Sequence, residues 1–519
     1  SSYYYFLCIG ALRLNSANNR YGRHLKYAFH TFTYGHYKRF LEVIIMKVLY
    51  AASEALPFIA SGGLADVAGS LPQALRKRLI GCRVVMPLYD GIKQELKDSM
   101  KFITNISVPV AWRRQYCGIF EARAGGVIYY LLDNQYYFKR DALYGFYDDA
   151  ERFAFFSRAI LEILPHIDFK PDIIHCNDWQ TALTPLYYST MYANQPGYEN
   201  IKTVLTIHNI QYQGVYGEEL LDNVVGIDHA HKSLIEYDGA VNLMKGGIEC
   251  ANAVTTVSPS YAKEILDPWY SHGLDTILRE RSYKLRGILN GIDIENYNPE
   301  TDKDVFKNYS VDNMRGKAVN KRELQKLLGL PEKSDTPVMG MVSRLVSHKG
   351  LDLCKAVLDE LLSTTDIQLV VLGSGDYQYE EFFRGLAERY PDKVGLCLGF
   401  IPDLARKIYA GSDMFLMPSK SEPCGLSQMV ALRYGSIPIV RETGGLLDSV
   451  RDSGDGEGNG FVFSSYNAHD MLHAIRRAVA GYQDKKGWPI LVKRAMESDN
   501  SWGKSANEYI RMYKEVLKG

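Results

Sequence analysis

The stretch Pro418–Leu447 reads PSKSEPCGLSQMVALRYGSIPIVRETGGLL, with turn formers and small polar residues between apolar runs. Met414–Pro418 predicts the end of a buried strand, Gly425–Tyr434 a helix and Ser436–Arg441 a second short strand. Gly444-Gly445 predicts a turn that closes the unit. A strand, a loop, a helix and a strand in this order form a parallel βαβ unit, so the chain is predicted to belong to the α/β class.

The loop between the first strand and the helix of this unit is a predicted ligand site. Ligands of open α/β sheets bind at the carboxyl ends of the strands, and this loop holds a single carboxylate, Glu422. The unpaired N–H groups at the start of the following helix favour an anion, such as a nucleotide diphosphate. A glutamate before a helix is by itself more often only a cap, so the role of Glu422 depends on the rest of the chain.

Length and composition bound the class of protein. A chain of 519 residues predicts two or three domains, and 46% hydrophobic with 23% charged residues are ordinary globular values. The formal net charge of zero gives no indication of nucleic acid or a membrane as a partner. The eight cysteines form no C-x-x-C pair, which favours reduced thiols and a cytoplasmic protein over a zinc site or a disulfide framework.

Residues 1–45 differ in composition from the rest of the chain. They hold six Lys or Arg and one acid, which leaves 54 of the 60 basic and 59 of the 60 acidic residues in the remainder. The preferred interpretation is a non-native or disordered extension before a true start at Met46. A plastid transit peptide is the second interpretation, although only three serines occur. A secretory signal at Tyr3–Leu12 is the third, but no basic region precedes it.

A second βαβ pattern opens the body of the chain. Met46–Ala52 reads as a strand, Leu64–Arg78 as an amphipathic helix and Cys82–Pro87 as the next strand. The loop Ser53–Gly63 between them ends in Gly62-Gly63. Glycines at this point let the backbone approach a diphosphate closely.

Polar clusters follow two further apolar strands. Asp172–Cys176 runs into a cluster that contains Asp178, and Thr203–Ile207 runs directly into His208 and Asn209. The carboxyl ends of parallel strands meet at one edge of a sheet, so these side chains are expected beside Gly62. A single histidine after a strand is more often structural, and it is the number of such clusters that favours a site.

The combined motifs resemble the glycogen and starch synthases, which are retaining glucosyltransferases. The resemblance runs from Met46 to the carboxyl terminus and rests on SEPCGLSQ, SGGLADV and TIHNIQYQG as they stand here. It implies an α/β fold of two doubly wound Rossmann-like domains that face a central cleft (the GT-B fold). It also implies a C-terminal helix that crosses back to the first domain.

The resemblance implies transfer of glucose from ADP-glucose to the non-reducing end of an α-1,4-glucan, with retention. It assigns the phosphate clamp to Arg344 and Lys349, which follow the predicted strand Val338–Val342. It implies catalytic roles for Asp178, His208, Arg344, Lys349 and Glu422. The donor-binding residues that it implies are Ser61, Gly62, Gly63, Asp66, Asn209, Asn242, Arg344, Lys349, Gly373, Phe400, Glu422, Cys424, Gly425, Leu426 and Ser427. No metal and no cofactor are implied, and the partners are ADP-glucose and a glucan such as glycogen or a maltooligosaccharide.

The domain boundaries are predicted from a change of pattern. The polar run Glu295–Lys317 has no clear apolar period and separates the two α/β series. We expect an acceptor domain over residues 46–296 and a nucleotide-sugar donor domain over residues 297–490. Residues 491–519 are expected to form the crossover helix.

The chain departs from the family pattern at two positions. Ala60 stands where the family has a lysine, and Phe400 stands where it has a tyrosine beside the adenine. These departures keep open a catalytically impaired glucan-binding relative. Another nucleotide-sugar transferase of the same architecture, using UDP-glucose, is the other alternative. The presence of the phosphate clamp with Asp178 and Glu422 favours the enzyme.

Overall fold

The computed structural model describes residues 46–399 and 401–519. The expectations for residues 1–45 and for Phe400 lie outside the described residues. Within them, the chain forms two large sheets and one small antiparallel sheet. None of the described helices combines the length and the apolar composition that crossing a membrane requires.

The first large sheet is built outward from the strand at the start of the described chain. Its nine described strands lie in the spatial order β12 (Leu285–Gly287), β11 (Ala253–Thr256), β7 (Lys202–Ile207), β6 (Ile173–Asn177), β1 (Lys47–Ala51), β2 (Gly81–Pro87), β5 (Val127–Asp133), β4 (Arg113–Ala124) and β3 (Lys101–Val110). The order reverses between β1 and β6, which are parallel, so a crevice opens at their carboxyl ends. The strands β3, β4 and β5 pair antiparallel and extend one edge.

The second large sheet has the order of a doubly wound nucleotide-binding domain. Its six described strands are all parallel and lie in the order β15 (Val394–Leu398), β14 (Gln368–Gly373), β13 (Val338–Val342), β16 (Met414–Met417), β17 (Ile437–Arg441) and β18 (Phe461–Phe463). The order reverses between β13 and β16, so the loops that follow these two strands border the crevice. Lys349 lies in the first loop and Glu422 in the second.

Helices cover both sheets. Those of the first domain are Gly63–Arg76, Gln94–Asp98, Gln135–Phe138, Asp149–Glu162, Leu183–Tyr187, Leu243–Cys250, Pro259–Glu264 and Asp275–Glu280. Those of the rest of the chain are Arg315–Leu327, Leu351–Thr364, Tyr377–Arg389, Pro402–Gly411, Ser427–Arg433, Gly444–Ser449, Ala468–Gln483, Gly487–Glu497 and Trp502–Lys518. Three strands that fall between β7 and β11 in the sequence form a small separate sheet: β8 (Val215–Tyr216), β9 (Glu236–Tyr237) and β10 (Ala240–Asn242).

The last helix returns to the first domain. Tyr513 is fully buried, and its hydroxyl lies 2.6 Å from Nδ1 of His175 in β6. Arg78 donates to the Gly503 carbonyl at 2.9 Å and so ties the amino end of this helix to the first domain. The helix Trp502–Lys518 therefore crosses back as the sequence predicts, whereas Gly487–Glu497 is a separate helix that spans the predicted boundary at 490/491.

The chain passes between the domains twice, and the two passages pair with each other. The Ile292 N–H donates to the Asn500 carbonyl at 2.8 Å. A Cβ on Gly291 would lie 2.6 Å from the backbone of Ser501 and Trp502, so only glycine allows this close approach. The pairing lies next to the predicted boundary at 296/297, which stays a prediction.

The prediction of a Gly-Gly turn at the end of the βαβ unit is wrong, because these glycines begin a helix. A helix begins at Gly444 and runs to Ser449. Gly444 has a φ of 45°, and a Cβ there would lie 2.0 Å from the Glu422 carbonyl oxygen. The two glycines therefore serve close packing against the Glu422 loop, which the sequence pattern alone does not distinguish from a turn.

Candidate active site

A cleft of about 1420 Å³ lies between the domains, at the crevice of each sheet. Most of the residues predicted from the sequence line it, although they come from five separate segments of the chain. Those that line it are Ser61, Gly62, Gly63, Asp66, Asp178, His208, Asn209, Arg344, Lys349, Glu422, Cys424, Gly425, Leu426 and Ser427. The cleft exceeds the roughly 300–1,000 Å³ of ordinary small-molecule pockets, so it has room for more than one ligand.

Two predicted donor-binding residues do not line the cleft. Asn242 is buried as the N-cap of the helix Leu243–Cys250, and its side chain accepts from Lys245 N and donates to Gln213 at 2.8 Å. Gly373 ends β14, and a Cβ on it would lie 1.9 Å from the Ser343 carbonyl oxygen. Both residues support the walls of the site and do not face the ligand space.

An ion pair between the two crevice loops dominates the second-domain face. Lys349 Nζ lies 2.6 Å from Glu422 Oε2, which also accepts from Ser419 Oγ at 3.0 Å. Glu422 is only 7% exposed, so its charge needs these partners. Gly350 permits the approach of the loops, because its φ is 73° and a Cβ there would lie 2.0 Å from the Pro418 carbonyl oxygen.

Arg344 differs from Lys349 in that its guanidinium is available to a ligand. It is exposed in the cleft wall, and it forms no side-chain hydrogen bond or ion pair with any residue that the structure describes. A guanidinium offers a planar fork of donors that matches phosphate oxygens. The arrangement therefore places one paired and one available cation beside the same loop.

Asp178 is the central carboxylate of the first-domain face. It follows β6 with a φ of 57°, and Oδ1 accepts from the His208 N–H at 2.7 Å and from the Asn209 N–H at 3.4 Å. Burial raises its pKa to about 7, and these two backbone donors oppose part of the increase. The left-handed backbone of a non-glycine residue is uncommon and is typical of functional loops.

His208 is held as a neutral imidazole. Its Nε2 lies 2.8 Å from Asn177 Oδ1, while Asn177 Nδ2 donates to the Ala51 carbonyl at 2.9 Å. The amide is thereby assigned with its oxygen toward His208, so Nε2 carries the proton and Nδ1 can accept a hydrogen bond. Burial lowers the pKa of His208 to about 3, so the ring stays neutral near pH 7.

Glu54 lines the cleft and was not predicted. Its carboxylate accepts from the Ser61 N–H, and from Ser61 Oγ at 3.1 Å, so it holds the Gly62-Gly63 loop in place. Burial raises its pKa. Glu54 follows β1 at the sheet crevice, and the strand-end rule that selected Asp178 selects it as well.

Among the residues that the structure describes, no carboxylate cluster suited to a metal lines the cleft. Asp302 and Asp304 form an Asp-x-Asp pair, but Arg406 contacts them at 2.9 and 3.5 Å outside the cleft lining. Within residues 46–399 and 401–519, no group of three or more His, Cys, Asp or Glu side chains is placed to share a metal ion.

Two doubly wound α/β domains that face a cleft, with cations on one wall, are the architecture of the glycosyltransferases of the GT-B fold. Residues 47–280 match the family model of the starch synthase catalytic domain, and residues 326–488 match that of glycosyl transferases group 1. Curated relatives named glycogen synthase are 51% identical over 477 residues (Bacillus cereus) and 52% identical over 476 residues (Desulforamulus reducens). These alignments cover 91% of this chain and 100% and 99% of those proteins. The chain belongs to the glycogen and starch synthase family.

Solved structures agree with this membership and with the predicted fold, which is confirmed. The catalytic domain of starch synthase IV from Arabidopsis thaliana, solved with ADP and acarbose, matches with a TM-score of 0.85 and 35% identity, over 92% of this chain and 100% of that one. Sucrose-phosphate synthase from Thermosynechococcus elongatus matches with a TM-score of 0.58 at 17% identity, over 91% and 99% of the chains, which concerns the fold alone.

Proposed function

We propose that this glycosyltransferase moves glucose from ADP-glucose to the non-reducing end of an α-1,4-glucan, with retention at the anomeric carbon. The observation that carries the proposal is the meeting of two sheet crevices in one cleft. One crevice brings Arg344 and Lys349, and the other brings Asp178 and His208. The bound ADP and acarbose of the starch synthase IV structure support the same ligand classes here.

The second-domain face suits the leaving diphosphate. That group gains negative charge as the glycosidic bond breaks, and prepositioned cations stabilise it more than they stabilise the ground state. Arg344 and Lys349 supply these cations, and the N–H groups near Gly62-Gly63 at the start of the helix Gly63–Arg76 add to them. Ser61, Asp66 and Asn209, together with the loop of Cys424, Gly425, Leu426 and Ser427, complete the proposed donor site.

The first-domain face suits the sugar. The transferring glucose becomes electron-poor as the bond to the diphosphate breaks, and carboxylates can orient its hydroxyls or offset the charge. Asp178 is proposed for this role on the first-domain face, and Glu422 for the same role from the second-domain wall. His208 Nδ1 can accept a hydrogen bond from a sugar hydroxyl, because its Nε2–H already donates to Asn177 Oδ1.

The domain roles follow from this division. Residues 46–296 are proposed to form the acceptor domain, residues 297–490 the donor domain, and the carboxyl-terminal segment the connection back. The proposed chemistry uses cationic side chains in place of a metal ion. A cytoplasmic location stays a prediction from the cysteine pattern.

A transfer assay tests the proposal. Labelled ADP-glucose and glycogen should give labelled polymer, and the label should be released by an exo-acting enzyme specific for α-1,4 bonds. Unlabelled UDP-glucose should compete poorly. Preferential use of UDP-glucose would favour the alternative donor, and glucan binding without transfer would favour the impaired relative. Release of the label only by a β-specific enzyme would contradict retention.

A further inference from the structure

A set of hydrogen bonds at the edge of the cleft joins the two domains along one side. Ser258 Oγ donates to the Pro423 carbonyl at 2.6 Å. Ser260 donates to the Asp448 carboxylate through its N–H and its hydroxyl, both at 2.8 Å. These contacts and those of Glu264 are called the clasp. The clasp links the helix Pro259–Glu264 of the first domain to the second domain directly behind Glu422.

Glu264 forms the buried end of the clasp. Its Oε1 accepts from Thr443 Oγ1 at 2.9 Å and from the Gly444 N–H at 2.8 Å. Its Oε2 is buried and has no hydrogen-bond partner among the residues described. A buried acceptor without a partner is unfavourable, so packing stability alone does not account for a glutamate at this position.

The backbone that Glu264 holds also supports the loop of the Lys349–Glu422 pair. A Cβ on Gly445 would lie 2.1 Å from the Cys424 carbonyl oxygen, and the Gly445 N–H donates to the Glu422 carbonyl at 3.1 Å. Gly444 approaches the Glu422 carbonyl equally closely. The main chain of residues 422–424 therefore rests on residues 444–445, and a shift of one moves the other.

We propose that Glu264 is a positioning residue that couples the contact between the two domains to the geometry of the Lys349–Glu422 pair. The inference rests on the proposed function, because it concerns the transfer of glucose across the cleft. Both cations proposed for the diphosphate, Arg344 and Lys349, belong to the second domain. ADP can therefore still bind when the clasp is broken and the N–H groups near Gly62-Gly63 move away. The sugar then no longer faces Asp178 and His208. The expected signature is a loss of kcat without a loss of ADP affinity.

Two substitutions separate this role from a structural one. Glu264→Ala removes both accepted bonds and should lower kcat by about tenfold or more, which is within the range of measured couplings between sites. Its Kd for ADP, measured by calorimetry, should stay within about twofold of the wild-type value. Glu264→Gln keeps an oxygen that can accept both bonds, so it should keep kcat within about threefold of wild type.

Matched controls come from both sides of the clasp. Glu249 is a nearly buried carboxylate that pairs with Arg281 at 2.7 Å within the first domain, so Glu249→Ala should leave kcat within about twofold. Ser260→Ala removes one bond to Asp448 from a partly exposed position. It should show the Glu264→Ala pattern in weaker form, and it tests the proposal if Glu264→Ala does not fold.

The results that overturn the proposal are equally defined. The first is a kcat within about twofold of wild type in Glu264→Ala or, if that variant does not fold, in Ser260→Ala. The second is a loss of ADP affinity in Glu264→Ala that parallels its loss of kcat. The third is a loss of kcat in Glu249→Ala equal to that in Glu264→Ala. A wild-type chain that transfers nothing from ADP-glucose would overturn the proposed function, and this inference with it.

Discussion

The two walls of the cleft use charge in different ways. The second-domain wall presents Arg344 and the Lys349–Glu422 ion pair, with 2.6 Å between Nζ and Oε2. On the first-domain wall, burial keeps His208 neutral and raises the pKa of Asp178 to about 7. The difference indicates that one wall is built for a diphosphate. The other is built mainly for hydroxyl groups, which need fixed donors and acceptors more than net charge, and is proposed to reach the diphosphate only through the N–H groups near Gly62-Gly63.

Removing a cation from the second-domain wall should have the largest effect. Lys349→Ala takes away one prepositioned charge and leaves Glu422 without its ammonium partner, so kcat should fall by about two or more orders of magnitude. Steady-state kinetics with ADP-glucose and glycogen measures this. Lys333→Ala is the matched control, because that lysine is exposed at the surface of the same domain. Near-normal turnover in Lys349→Ala would mean that the diphosphate binds elsewhere.

Adding a cation to the first-domain wall should have a smaller effect. Ala60 is exposed next to Ser61 and stands where the family has a lysine. Ala60→Lys should raise kcat/KM for ADP-glucose by up to about tenfold, which corresponds to 1.4 kcal/mol. The same substitution should also partly restore kcat/KM when it is combined with Lys349→Ala. A coupling energy of zero between the two substitutions would show that residue 60 does not share the diphosphate with Lys349.

The protonation of Asp178 should have the smallest effect, and this effect should appear in the free energy of unfolding. Its pKa of about 7 in the folded chain lies above the ordinary 3.8, so the folded chain keeps a proton that the unfolded chain has released between these values. The free energy of unfolding therefore falls as the pH rises from about 4 to about 7. Asparagine cannot ionise. The Tm of Asp178→Asn relative to wild type should rise by a few degrees between about pH 5 and about pH 8, and a constant difference would contradict the raised pKa.

The crevice residues could be predicted because strand ends are visible in the sequence. An apolar run that stops at a polar residue places that residue at the sheet edge, which located Asp178 and His208, whereas Arg344 and Lys349 were assigned from the family resemblance. The same rule covers Glu54, which lies after β1 in the loop that ends in Gly62-Gly63. The sheet order itself, with its reversals beside β1 and β13, is a long-range property and came only from the structure.

Residues whose role depends on their partners could not be predicted in the same way. The resemblance assigned Asn242 to the donor site, but its side chain is used as a helix cap. Gly444 reads as a turn, yet it begins a helix because it packs against the Glu422 carbonyl. Glu264 lies 180 residues from Gly444, and no local pattern indicates that they are hydrogen-bonded.

The assignment of the diphosphate to the second-domain wall is tested most directly by the affinity for ADP alone. Calorimetry should show Kd for ADP increasing by about tenfold or more in Arg344→Ala, because a charge-assisted contact to phosphate is lost. Asp178→Asn should bind ADP within about twofold of wild type while losing glucosyl transfer. An unchanged Kd in Arg344→Ala, or an equal loss of ADP affinity in Asp178→Asn, would contradict the assignment of the diphosphate to the second-domain wall.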